Sequence, residues 1–345
     1  MNDRAHDGKT GSGFHPSRRD FLTQAGLLAG GMALLGIPAL TPQPAAAALP
    51  PPSVGSSALE LDGQFVDFVK SVEGGFPKSE VIHEPVGPNM IVKKHIGPPK
   101  SQDIAIQCDP VMPKPLFDWI AATLNMSYMR KNGAIITTDS NRAEQSRLQF
   151  NNALITEFGI PACDSAEVGY RFLTVKFAPE FTTPLAGKGN VISAPAAKTQ
   201  LKAWSPAYFR LTIPDLDCSK VAKIEALTIK QTLPQDVVGE YRIPQKEPAK
   251  LEFPNLVLSI AEFSAGTFYA WFQDMVIKGN SGEINERAGT LELLDPTLTT
   301  LLTIYFHHLG IFGFTPEKTE ANAKAIKRVK VEMYCEQMTV TPLKT

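Results

Sequence analysis

Residues 117–139 read FDWIAATLNMSYMRKNGAIITTD, and their order of apolar and polar positions predicts a short helix, a loop and a strand. Phe117, Trp119 and Ile120, with Leu124 one turn beyond Ile120, place one buried face on the helix. Asn132-Gly133 is expected as a turn, because both residues tolerate positive φ. Ile135 and Ile136 then open a strand. Elsewhere the period is two. Leu59, Leu61, Phe65, Val69 and Val72 read as a half-buried strand and its continuation, broken at Gly74-Gly75. Ile104, Ile106 and Cys108 share one strand face. Residues 148–155, 172–177 and 329–338 are further strands; in the second of these Phe172, Thr174 and Lys176 alternate with Leu173, Val175 and Phe177. Residues 77–101 carry Pro77, Pro85, Pro88, Pro98 and Pro99 and are expected to contain loop.

The pattern occurs twice. Trp119 and Trp271 stand 152 positions apart (271 − 119). Leu61 and Ile213, Val69 and Val221, Ile104 and Leu256, and Ile106 and Leu258 share that offset. After the helix it becomes 156 (289 − 133). Gly133 then matches Gly289, Phe150 matches Phe306, Val175 matches Val331 and Phe177 matches Met333. The four extra positions (156 − 152) fall in the polar stretch 279–289, where insertions cost little. Apolar positions pair easily by chance in a chain that is 43% hydrophobic, but a register held from 61 to 177 does not. Tandem duplication is the reading, and a period this long means two domains rather than a solenoid. The first domain is expected at 59–182 and the second at 208–341. A Gly/Pro/Ala/Ser/Thr-rich linker occupies 183–207, and a Pro/Ser-rich disordered lead-in occupies 49–58.

Residues 1–48 read as an export signal. Ser17-Arg18-Arg19-Asp20-Phe21-Leu22 precede a moderately apolar, glycine-interrupted run, then prolines and Ala45-Ala46-Ala47-Ala48: a basic region, an apolar region and a small-residue cleavage site. The apolar run is too short and glycine-rich for a membrane span, and no later stretch has 18 apolar residues in a row. No stable membrane anchor is therefore expected after cleavage. Arg18, Arg19, Phe21 and Leu22 resemble the twin-arginine signal, S/T-R-R-x-F-L. That resemblance implies passage of an already folded protein through the twin-arginine machinery, to a periplasmic or extracellular location.

Removing the leader takes four of 34 basic and three of 35 acidic side chains, leaving 30 against 32, net −2. This balance gives no nucleic-acid-binding signal.

Trp119, then Arg130-Lys131-Asn132-Gly133-Ala134-Ile135-Ile136, then Phe150-Asn151-Asn152-Ala153-Leu154, resemble the tube subunit of contractile phage tails and phage-like injection systems. In that family a D-W helix precedes a K-N-G-x-I hairpin and an F-x-N-A-x-P strand; here Ile155 or Thr156 stands near the family's proline. The second copy matches through Trp271, Gly289, Leu291 and the closing strand, but lacks K-N-G. The resemblance implies a mainly β (α+β) chain of two tandem antiparallel β-barrel or sandwich domains, each with one flanking helix. It also implies subunits that form hexameric rings. Trp119, Phe150, Trp271 and Phe306 are the expected core anchors.

No residues are assigned to catalysis, to a cofactor or to a metal. His83 and His95 flank a proline loop, and adjacent His307 and His308 point to opposite faces of a strand. There is no H-E-x-x-H, C-x-x-C or G-x-S-x-G. Gly187-Lys188-Gly189 lacks the rest of a phosphate loop. Asp215, Asp217 and Glu144 are read as loop acids without partners. Cys108, Cys163, Cys218 and Cys335 do not pair by the repeat and are expected as free, mostly buried thiols.

The expectation is a non-enzymatic structural protein that assembles with itself into rings or tubes. Two domains per chain allow three chains to fill six ring positions, a trimer of pseudo-six-fold symmetry. The alternative is an exported β-sandwich binding module that recognises a ligand or surface.

Overall fold

The computed structural model describes residues 55–86, 91–193, 204–236, 245–318 and 326–342. The chain is mainly β and every strand pairing is antiparallel. In the first half the elements are β1 (Ser57–Leu61), β2 (Gln64–Val69), β3 (Ser71–Gly74), β4 (Pro77–Val86), β5 (Ile91–Ser101), β6 (Ile104–Cys108), α1 (Lys114–Leu124), β7 (Lys131–Thr138), β8 (Glu144–Ile160), β9 (Cys163–Asp164), β10 (Leu173–Ala178) and β11 (Phe181–Ala186). The second half holds β12 (Phe209–Thr212), β13 (Val221–Ile224), β14 (Leu227–Gln231), β15 (Gln235–Asp236), β16 (Gln245–Lys246), β17 (Leu251–Glu252), β18 (Leu256–Ala261), α2 (Gly266–Phe272), β19 (Arg287–Leu294), β20 (Thr300–Pro316) and β21 (Arg328–Pro342).

The two halves have the same plan. The first sheet runs β2-β1-β7-β8-β10-β6-β3 and the second β12-β19-β20-β21-β18-β13-β9, so β1, β7, β8, β10, β6 and β3 correspond in order to β12, β19, β20, β21, β18 and β13. The registers correspond too. Val72 opposes Ile106 and Ile224 opposes Leu258. Phe177 opposes Ile104 and Met333 opposes Leu256. Gly133 opposes Phe150 and Gly289 opposes Phe306. All of these keep the offsets read from the sequence. Even the bulges repeat: the ladder slips between Lys176 and Phe177 in one half and between Ile311 and Gly313 in the other. Asn152 (φ 49°) and His308 (φ 54°) are both left-handed, as are Arg142 (φ 63°) and Leu298 (φ 64°).

Each barrel-like sheet is closed on one side by a helix whose tryptophan is buried. Trp119 Nε1 donates to Met129 O at 2.8 Å, and Trp271 Nε1 donates to Asn285 O at 3.0 Å, which satisfies both indoles. Trp119 and Phe150 both pack against Phe177, with ring centroids 5.3 and 5.0 Å away. Phe306 is fully buried in the second half. α2 continues into a π turn at Gln273–Ile277 that its counterpart lacks, so the added residues begin at the helix end as well as in the loop beyond.

Several expectations are corrected. Asn132 and Gly133 lie inside β7, not in a turn. A Cβ on Gly133 would stand 2.0 Å from Glu60 O and 2.6 Å from Phe150 Cζ, so this glycine permits close strand approach at a bulge. The hairpin turn sits earlier, at Asp62 (φ 49°) and Gly63 (φ 78°), between β1 and β2. The proline-rich span 77–101 is largely a two-stranded ribbon, β4 with β5. A lone ribbon tolerates proline because each strand has a free edge. The expected linker begins with ordered structure, since β11 pairs with β8 and reaches Ala186. It also ends with Trp204, fully buried, whose Nε1 donates to Tyr208 O at 3.0 Å. At the other end, the expected lead-in already enters β1 at Ser57. Glu144 is buried in β8 and bonded to Arg147 Nε at 2.9 Å, and Asp215 pairs with Arg287 at 3.1 Å, so neither is partnerless.

One apolar core runs through both halves. Cys108, Cys163, Cys218 and Cys335 form no disulfide. Among the described residues no helix is long and apolar enough to cross a membrane. Arg18, Arg19, Phe21 and Leu22 lie outside the described residues.

Candidate assembly interface

The expected core residues Trp119, Phe150, Trp271 and Phe306 are all buried in the shared apolar core. The chemistry-bearing contacts gather where the second half reaches onto the first. β14 leaves the second barrel and adds to the end of β8, with Leu227 opposite Ile160, Thr228 opposite Gly159, Ile229 opposite Phe158 and Lys230 opposite Glu157. Leu227 and Ile229 are buried there, which removes roughly 1.5–3 kcal/mol worth of apolar surface per side chain from water. β9 returns the contact by pairing with β13.

Beyond β14 the arm continues through β15, β16 and β17. Its Lys246 is buried and donates from Nζ to Pro179 O at 2.9 Å. Burial holds the Lys246 ammonium below its ordinary pKa, while Asp103 and Glu180 pull it back. Arg130 spans the joint: it donates to Glu180 Oε1 at 2.9 Å, to Lys246 O at 2.8 Å and to Glu247 Oε1 at 3.3 Å. Asn152 Nδ2 also donates to Glu180, at 2.8 Å. Tyr128 Oη reaches Ala249 O at 3.4 Å.

The arm and the edge that receives it each have a counterpart elsewhere in the chain. The arm corresponds to β4 and β5. His83 opposes Lys94 as Gln235 opposes Lys246, and Lys78 opposes Lys100 as Lys230 opposes Glu252. The receiving edge at 157–160 corresponds to 313–316 at the end of β20. There β21 pairs with one side, and among the described residues no strand pairs with the other. Both surfaces expose apolar side chains: Phe76, Val81, Ile82 and Ile96 on the arm, Ile284 and Phe312 near the edge. Ile284 is 94% exposed and corresponds to Tyr128, which the in-chain arm touches.

At the receiving end, Glu286, His308 and Glu336 occupy the places of Arg130, Asn152 and Glu180. Their ligand atoms lie within 4.8 Å of one another, a spacing compatible with a cation, although the sequence motifs single out none of them. Glu286 accepts from Tyr334 Oη at 2.7 Å and lies 2.8 Å from His308 Nδ1. Burial first, then Glu286, pushes the Tyr334 phenol up to about 12. Sequence motifs miss these residues because sheet pairing, not local spacing, joins them. The signal that finds them is the 156-residue offset applied to polar positions (286 − 130).

No family model matches the sequence, and no curated protein matches it. Parts of the chain match solved structures. One is from the anti-feeding prophage (AFP) baseplate, 6-fold symmetrised (15% identity, TM-score 0.34, covering 45% of this chain and 100% of that one). Another is from an extracellular contractile injection system, the PVC sheath-tube complex in the extended state (16% identity, TM-score 0.32, covering 44% and 99%). A third is Hcp1 from Flavobacterium johnsoniae (10% identity, TM-score 0.25, covering 39% and 95%).

Proposed function

We propose that this chain is a non-enzymatic structural protein made of two copies of one tube-like domain, exported after folding, that assembles with itself head to tail. The observation that carries the reading is the in-chain joint. Its donor arm and its receiving edge both recur elsewhere in the same chain, where among the described residues no further strand pairs with them. Joining them repeats on a second chain the contact already made within one. By the two offsets, Lys78 would oppose Gly313 and Phe76 would oppose Thr315, the places of Lys230 with Glu157 and Thr228 with Gly159. A heterologous contact of this kind closes into a ring when its rotation divides the circle. Six domain positions then take three chains, with pseudo-six-fold symmetry. Pairing also covers strand edges that otherwise invite aggregation.

Export through the twin-arginine route belongs to the same proposal and rests on Arg18, Arg19, Phe21 and Leu22. A core shared by both halves favours folding before crossing, because neither barrel completes its sheet alone. Light scattering on the protein beginning at residue 49 tests the assembly. Three times the chain mass supports it; a chain mass that stays single at high concentration refutes it.

A further inference from the structure

We infer that a reversed charge pair makes the joint between chains incompatible with the joint inside a chain, so that first and second halves must alternate around the assembly. The inference rests on the proposed chain-to-chain joint and goes beyond it by naming what selects the partner: the β4–β5 arm of a second copy of this chain.

Inside the chain, two features hold the arm. Lys246 enters next to Glu180, and Arg130 faces Glu247 at 3.3 Å. The offsets carry each residue to the open joint. Lys246 becomes Lys94 (246 − 152) and Glu180 becomes Glu336 (180 + 156), so a lysine still enters next to a glutamate. Glu247 becomes His95 (247 − 152) and Arg130 becomes Glu286 (130 + 156), so the acid and the base change sides. The arm now brings the N–H donor and the receiving barrel the carboxylate. An imidazole N–H donates to a carboxylate whether or not the ring is charged. His95 lies 3.2 Å from Glu84 of its own arm, and its side chain is 54% exposed, which leaves it free to turn. Glu286 is only 7% exposed and is fixed by Tyr334 Oη, so the acceptor is held in place before the arm arrives.

The wrong joints fail for opposite reasons. A second-half arm on the open edge brings Glu247 against Glu286, two carboxylates with no guanidinium between them. A first-half arm on an Arg130 edge replaces Glu247 with His95 and so leaves Arg130 without its second carboxylate. Placing like charges at an interface costs enough to exclude a partner. The lysine–glutamate contact retained in both joints supplies adhesion; the reversed pair supplies the order of the domains. The cluster of Glu286, His308 and Glu336 then needs no bound ion, because Lys94 and His95 of the second copy bring the donors.

Charge swaps read by analytical ultracentrifugation test this. Glu286→Arg gives the open edge the first-half residue and is expected to raise the dissociation constant of the assembly at least about tenfold. Adding His95→Glu to that variant rebuilds the in-chain pair and is expected to restore assembly. Because the Glu286 side chain has little exposure, a second swap on exposed chain guards against misfolding: Lys94→Glu is expected to weaken assembly with unchanged melting, and Lys94→Glu with Glu336→Lys to recover it. Wild-type assembly that both single swaps leave intact, or double swaps no better than the singles, overturns the inference while leaving self-assembly standing. A wild-type protein that never assembles overturns both.

Discussion

Gly133 and Gly289 are equivalent positions in two equivalent strands, yet alanine should cost very different amounts at each. At Gly133 the added Cβ meets the backbone oxygen of Glu60 at 2.0 Å and Phe150 Cζ at 2.6 Å. At Gly289 the nearest atoms are Ile213 Cγ1 at 3.0 Å, Leu309 Cδ1 at 3.1 Å and the equivalent oxygen, Thr212 O, at 3.4 Å. In the second site two flexible side chains give by a few tenths of an ångström. In the first, β1 and β7 must part by more than an ångström or Phe150 must leave its rotamer. Parting the strands weakens ladder hydrogen bonds worth about 1 kcal/mol each. Turning Phe150 off its rotamer costs roughly 0.5–1.5 kcal/mol and disturbs its packing on Phe177. Gly133→Ala should therefore destabilise by about 3–4 kcal/mol and Gly289→Ala by about 1 kcal/mol, in line with overpacked cores. Urea unfolding measures both. Equal losses at the two sites, or a Gly133→Ala loss under about 1 kcal/mol, would refute the reasoning.

The shared core and exchanged strands predict one unfolding transition, so Trp119→Ala and Trp271→Ala should each lower the same midpoint, by about 3–5 kcal/mol; two independent transitions would contradict this. Burial pushes the Cys163 thiol up to about 12 and that of Cys335 to about 11, from an ordinary 9.0. Neither should react with a thiol reagent at pH 8 until the protein unfolds. The folded state holds these protons more tightly, so their contribution to stability is complete below pH 9 and is lost as pH rises toward 11–12. A melting temperature flat across that alkaline range would count against it. Replacing Arg18 and Arg19 together by Lys keeps the charge and removes the guanidinium forks; fractionation should then find the precursor retained inside the cell, and undiminished export would sink the twin-arginine reading.

The sequence makes the matching strand registers of the two sheets legible because large apolar residues occupy the same places in both. Trp119 with Trp271, and Phe150 with Phe306, therefore mark the two cores directly. Ile104, Ile106 and Cys108 reveal their strand because alternate side chains face opposite sides of a sheet. The glycine at 133 misleads, since a close approach and a turn both call for glycine and only the neighbours of the strand decide between them. The proline-rich arm hides its strands for a related reason: proline argues against a central strand but not against a ribbon with free edges. Trp204 escapes notice because it stands outside both repeats, in a stretch whose composition suggests a linker. Arg130 stands in the stretch that carries the K-N-G motif, but its role is invisible there, since Arg130, Glu180, Lys246 and Glu247 meet only after two barrels have folded. Their counterparts Glu286, Glu336, Lys94 and His95 follow from the same offsets carried to charged positions.

Cross-linking tests the central claim most directly. Phe76→Cys and Thr315→Cys, placed together in the protein beginning at residue 49, put one thiol on the arm and one on the open edge, at positions the offsets make opposite each other. Under mild oxidation the account predicts a covalently closed species of three chains, formed in proportion to assembly and absent from either single variant. Chains that stay single under those conditions would contradict it.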